Sequence, residues 1–213
     1  MNLNMAKARG ETDSTGKGGF LFLGNQLALD FLNTRPVQNC EPMELLPDFT
    51  ALLRWFQAAG LLNPREATHI ERKWSQSHEA RQMLEEARAL RETLRKEILA
   101  WEDGGSLHHS TIAELNRLMA KHPMRTRLIG NGDERLPELY FPVQNPEDLF
   151  APLAQSAAML FTSVDRMRVR KCSQCVLHYL DTSKKGTRRW CSMQLCGNRQ
   201  KVAAYARRKK VAR

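Results

Sequence analysis

Four of the five cysteines in this 213-residue chain crowd into its C-terminal quarter, as Cys172-x2-Cys175, fifteen intervening residues, and Cys191-x4-Cys196. Thiolates bind soft or borderline metal ions, and a two-residue gap lets one tight turn aim two of them at a single ion. A second pair completes a tetrahedron at zinc-to-sulfur distances of about 2.3 Å. The four-residue gap adds a constraint, because side chains five apart on a continuous helix point about 140° apart. Cys191 must therefore precede a helix, with Ser192 as its cap and Cys196 in the first turn. A cysteine turn followed by a pair at a helix start is the plan of a treble-clef-like zinc module. Four sulfurs leave no open position for water or substrate, so one Zn2+ per chain is expected in a structural role. Iron–sulfur ligation, a redox pair and four unrelated buried cysteines are the alternatives, and His178 is a further donor that could replace a thiolate. Cys40 stands apart and reads as a small buried hydrophobe or a redox sensor.

The cysteines sit among cations. Residues 166–213 carry 15 Lys and Arg against a single acid, Asp181, whereas residues 1–165 carry 18 against 22 acids. The net charge of +10 thus hides a basic block joined to a mildly acidic body, the pattern of a polyanion-binding module. Projected on a helix from Cys196, Arg199, Ala203, Ala206 and Arg207 fall toward the metal, and Asn198, Lys201, Tyr205, Arg208 and Lys209 fall away from it. This outer face mixes cations with an amide and a phenol, groups that suit phosphates and base edges. Lys184, Lys185, Arg188 and Arg189 add a second set. A merely solvated face is the bland reading, against which stands the self-repulsion of so many unpaired cations. Asp181 is expected to pair with an arginine such as Arg199, and Trp190 to pack on the zinc knuckle.

The elements that must position these groups are mostly helical. Residues 1–19 read as a mobile tail, residues 20–165 as a helical domain and residues 166–213 as the zinc module. "GNQLALDFLNTRP" predicts a short central helix that Asn25 could cap, apolar nearly all round. Asp48 and Gly60 bracket a second helix, and Asn63 with Pro64 opens a third. Met83, Ala87, Leu90, Leu94, Ile98 and Trp101 form the strongest helical stripe, and a further helix runs through Ile112, Leu115 and Leu118. Between Arg125 and Val143, two short apolar runs around a Gly-Asn-Gly-Asp signal predict a β-hairpin. A last body helix carries Leu149, Leu153, Ala157, Leu160 and Val164, with Pro152 kinking it or delaying its start. The fold class expected is mainly α with a small β-hairpin.

Composition, 42% hydrophobic and 26% charged, is that of a soluble globular protein. No run approaches the roughly 18 apolar residues of a membrane span, and the start has no apolar signal core, so a cytoplasmic protein without a membrane partner is expected. A reducing cytosol favours metal ligation over disulfides. No Ser-His-Asp or Cys-His order, phosphate loop or open metal site stands out, and no enzyme is expected. His108 and His109 read as a solvated loop. Asp30, in an almost wholly apolar helix, reads either as a contact for a small effector or as a buried acid paired with an arginine or a helix end.

"RKCSQC", the "LDTS" around Asp181, "RRWCSM" and the run Cys196-Gly197-Asn198-Arg199, followed by Lys201, resemble the CGNR zinc-finger family of bacterial transcription regulators. "FLGNQLALDFLNT" and "LLRWFQAAGLL" resemble the ABATE domain that accompanies this finger. Together the two cover nearly everything from Phe20 onward; His178 departs from the family, which tends to have an apolar residue there. The resemblance implies zinc on the four cysteines, DNA binding by the finger and a regulatory role in stress response.

Two classes of function follow. One is a DNA-binding transcription regulator, with duplex DNA as the partner, RNA as the close variant, and a body that senses an effector or forms a homodimer. The other is a zinc-dependent protein-interaction module docking on an acidic partner, for which the finger offers Tyr179, Trp190, Met193 and Tyr205 as anchors.

Overall fold

The structure, a computed structural model, describes residues 18–38, 41–130 and 135–211. Cys40, nearly all of the expected tail and most of the expected Gly-Asn-Gly-Asp turn lie outside them. Among the described residues the chain forms seven helices and three two-stranded antiparallel ladders. No helix among them is long and apolar enough to cross a membrane.

Local signals start most of the helices. α1 (Leu27–Leu32) is capped by Gln26, whose side chain accepts from the Leu29 N–H at 3.2 Å, and not by Asn25. Asn25 has φ 55°, a left-handed conformation that asparagine tolerates, and its amide points away toward the zinc module. α2 (Phe49–Ala58) begins at Asp48, which accepts from the Ala51 N–H at 2.7 Å, and ends at Gly60 with φ 75°. α3 (Pro64–Trp74) opens with a capping box between Asn63 and Glu66. α4 (His78–Glu102) is capped by Ser77 and buries Met83, Ala87, Leu90, Leu94 and Ile98.

α5 (His109–Lys121) buries Thr111, Leu115 and Leu118 and leaves Ile112 exposed, so its inner face is turned by one residue from the expected stripe. The cause is Glu97, which reaches across from α4 to accept from the Thr111 hydroxyl at 2.6 Å and the His108 N–H at 3.2 Å. His108 and His109 thus start a helix and do not lie in a free loop. α6 (Phe150–Ser163) follows a 3₁₀ turn at Pro146–Leu149, which places Pro152 in the first helical turn, where a missing N–H costs nothing.

The expected hairpin pairs β3 (Arg125–Ile129) with β4 (Leu136–Tyr140), Arg127 opposite Glu138. Toward its tip the apolar residues stay out of the core, with Leu128, Ile129 and Leu136 exposed, while Phe141 and Val143 after β4 pack against it. Two smaller ladders, β1 (Val37–Gln38) with β2 (Glu41–Pro42) and β5 (Val169–Lys171) with β6 (His178–Leu180), are too short to leave an alternating signal.

The core sits around α1, which packs on α6 and α4 with every residue but Leu27 fully buried. Trp55 is its aromatic centre, with Phe31 at 5.5 Å and Phe56 at 5.3 Å between ring centroids. Along one side of α4, arginines hold the connection after α1. Arg95 donates to the Leu32 carbonyl at 2.8 Å, and Arg88 donates to the Leu46 carbonyl at 3.0 Å. Arg91, only 1% exposed, donates to the Thr34 hydroxyl at 2.9 Å and to Glu44 at 2.8 Å.

Removing one member of a fully buried ion pair costs about 3 to 5 kcal/mol. Because the Glu44 side chain keeps 30% of its exposure, Arg91→Met is expected to cost about 2 kcal/mol. Urea denaturation at pH 7 measures it, as a lower midpoint at unchanged slope.

Candidate metal centre and basic face

The four cysteine sulfurs all lie within 4.8 Å of one another. Cys175 and Cys191 are 3.6 Å apart, Cys191 and Cys196 3.6 Å, and Cys175 and Cys196 3.7 Å. A tetrahedron with zinc-to-sulfur bonds of about 2.3 Å has edges of about 3.8 Å, so the set fits one zinc ion. The first pair is aimed by the turn after β5, closed by the Cys172 N–H donating to the Leu177 carbonyl at 2.9 Å. The Ser173 N–H and hydroxyl both donate to the Arg189 carbonyl, tying this turn to the second pair.

Cys191 precedes a wide helical turn at Met193–Gly197 that Ser192 caps through the Leu195 N–H. In that turn the N–H groups of both Cys196 and Gly197 donate to the Ser192 carbonyl at 3.0 Å. The extra residue widens the turn and carries Cys196 round to the metal side, as the four-residue gap requires.

The four thiols cannot ionise together on their own. Hydrogen bonding from Cys191 holds the Cys175 thiol down to about 5, with further help from the Leu177 N–H and from Cys172 and Cys196. The same contact with Cys175 pushes Cys191 far up, and burial together with the Cys175 charge pushes Cys196 up to about 12. A divalent ion supplies the charge that lets these neighbours ionise together. His178 stays outside the sulfur cluster; it is buried with its Nε2 3.5 Å from Glu102.

Asp181 organises the loop that carries the first basic set. It is fully buried and accepts from the Ser183 N–H at 2.9 Å and the Arg188 N–H at 2.8 Å. Its cationic neighbour is Arg170 at 3.8 Å, in place of the expected Arg199. Arg168 donates to the carbonyls of Asp181 and Ser183, and Arg170 to that of Gly186. Arg188 turns inward as well: it donates to the carbonyls of Trp190 and Cys191 and lies 4.5 Å over the Tyr179 ring. Its guanidinium is therefore part of the knuckle and not of the outer face. Lys184, Lys185 and Arg189 are exposed. Trp190 packs with the cysteine core as expected.

α7 (Asn198–Val211) leaves the wide turn carrying six cations and no acid. Asn198, Lys201, Tyr205 and Lys209 are exposed along it, the Lys209 ammonium 5.9 Å from the Tyr205 ring; the Arg208 side chain lies outside the described residues. Val202, 68% exposed, stands between Asn198 and Tyr205 on the same stripe, where its helical spacing could have flagged it. Arg168 and Arg170 also escaped the sequence reading; their proximity to the buried acid has no local signature.

Asp30 presents no exposed surface. Its Oδ1 accepts from the Gly24 N–H at 2.7 Å, closing the loop before α1. It lines neither of two surface clefts of about 250 and 370 Å³ in the body.

Burial pushes the Asp181 carboxyl up, but the Ser183 and Arg188 hydrogen bonds outweigh it and hold it below the usual carboxylate range. Its contribution is therefore complete above about pH 4, and falls away as pH drops through the folded value. Asp181→Asn cannot accept both N–H groups and is expected to cost about 1 to 3 kcal/mol. The cost should be equal at pH 7 and pH 5, measured as thermal unfolding with saturating zinc.

The ABATE family model, described as "Putative stress-induced transcription regulator", matches residues 25–164, and the CGNR zinc finger model matches residues 168–209. No curated protein matches the chain. The cysteine quartet falls wholly within the second stretch, and neither family is of an enzymatic type. The chain belongs to the ABATE family and carries a CGNR zinc finger behind the ABATE domain.

Proposed function

We propose that this protein regulates transcription by binding duplex DNA through its zinc module, with Lys184, Lys185, Arg189, Asn198, Lys201, Tyr205, Arg208 and Lys209 as the contact set. The observation that carries the reading is α7: six cations, no acid, and, among the described residues, its main packing against the turn that holds Cys196. An acid-free helix on a zinc-fixed base matches a polyanion better than a solvated surface, because the module's one acid is buried. Phosphates would take the lysines and arginines, while Asn198 and Val202 suit base edges and thymine methyls. In this reading the ABATE domain senses a small effector or joins two copies in a bacterial cytoplasm, and the family description, a stress-induced regulator, supports a role in stress response.

Met193, Val202 and Tyr205, 48%, 68% and 60% exposed, favour a second reading, an acidic protein partner gripped by apolar anchors. Tyr179, fully buried, is not among those anchors.

Binding of the full chain to a mixed duplex pool across a salt series separates the two. Neutralising about five phosphates predicts a log–log slope of about −4.5, and Lys201→Ala should reduce the slope by about one. Salt-independent binding would reject the DNA reading. A complex that survives nuclease and high salt would establish the protein partner. Competition with single-stranded and duplex RNA distinguishes the RNA variant.

A further inference from the structure

We infer that the segment from Phe20 to Asn33 belongs to the folding unit of the zinc module as much as to the body, with Leu21, Leu23, Asn25 and Asn33 positioning the finger and coupling metal occupancy to the body's core. The inference does not depend on what the finger binds.

Alternate side chains of this segment enter different cores. Phe20 and Phe22 pack in the body, Phe22 stacking 6.0 Å from Trp55. Leu21 and Leu23 pack with Cys172, Leu177, Tyr179, Cys191 and Cys196 around the metal site. An extended chain points successive side chains to opposite sides, so four consecutive residues can serve two cores at once. Among the described residues, the finger's own aliphatic contribution to this core is Leu177 and Leu195, so Leu21 and Leu23 supply half of its aliphatic side chains.

The next residues close the free edge of β6. The Leu180 N–H donates to the Gly24 carbonyl at 2.8 Å, and the Asn25 amide donates to the Leu180 carbonyl at 2.9 Å. Asn33 meets His178 in both directions: its Nδ2 donates to the His178 carbonyl at 2.8 Å, and the His178 N–H donates to its Oδ1 at 3.0 Å. All four polar backbone groups on that edge therefore find partners in the body. Both family matches leave out Phe20–Gly24, so neither assigns this role.

If the finger loosens without metal, Leu21, Leu23, Asn25 and Asn33 lose their seats, and the docking free energy becomes part of the zinc affinity. By reciprocity, weakening the docking must weaken zinc binding by the same factor. The test uses the full-length chain, with zinc affinity measured by chelator competition and with hydrogen exchange compared between loaded and stripped protein. Asn33→Ala is expected to lower zinc affinity about tenfold, from two buried hydrogen bonds, and Ile112→Ala, exposed on α5, to leave it unchanged. In the unsubstituted chain, stripping should raise exchange at least tenfold in Phe20–Asn33 while α3 keeps its protection. Unchanged zinc affinity in Asn33→Ala, an equal loss in Ile112→Ala, or retained protection of Phe20–Asn33 on stripping would each overturn the inference. The exchange measurement stands whether or not Asn33→Ala folds.

Discussion

The outer edge of β6 is the constraint from which much of the architecture follows. Three residues of ladder against β5 cannot stand alone in water, and buried backbone groups left without partners carry a heavy penalty. The body supplies what is missing through Gly24, Asn25 and Asn33. Meeting that edge dictates details that look arbitrary in isolation. A side chain at position 24 would sit 2.7 Å from the Asp30 backbone nitrogen, so only glycine fits. Asp30 is there to take the Gly24 N–H, and Asn25 adopts its left-handed conformation so that its amide can turn to Leu180. A motif that reads as an apolar helix with one odd acid is a docking surface.

The module's cations divide by chemistry. Arg168, Arg170 and Arg188 spread planar forks over backbone carbonyls and hold the loop around Asp181, work for which several donors in one rigid plane are suited. Lys184, Lys185, Lys201 and Lys209 keep compact charges in solvent. Part of the basic excess is thus internal scaffolding, and these four lysines are a part that does no such work. Only the buried Asp181 offsets them, and it does so from inside.

Signals that act over a few residues were legible in the sequence. Cysteine spacing foretold the tetrahedron and the cap at Ser192, and Asp48, Gly60, Asn63 and Pro64 marked their helices because capping is decided within one turn. Signals that act across the chain were not. Asn25 was read as a cap because its true partner lies 155 residues away. Asn33 drew no attention for the same reason, its partner lying 145 residues on. The Ile112 stripe slipped by one position because Glu97, on another helix, takes the Thr111 hydroxyl. Arg188 looked like a surface cation because nothing local says that two carbonyls await it.

The wide turn at Met193–Gly197 has a mechanical consequence. Fourteen residues of α7 extend about 21 Å from it, and among the described residues that turn is the main element α7 packs against. A rotation of about 10° at Cys196 would sweep the far end through roughly 3.7 Å. The wide turn that carries Cys196 thus acts as the pivot of a long lever, and whatever fixes that turn fixes the direction in which Asn198, Lys201, Tyr205 and Lys209 are presented.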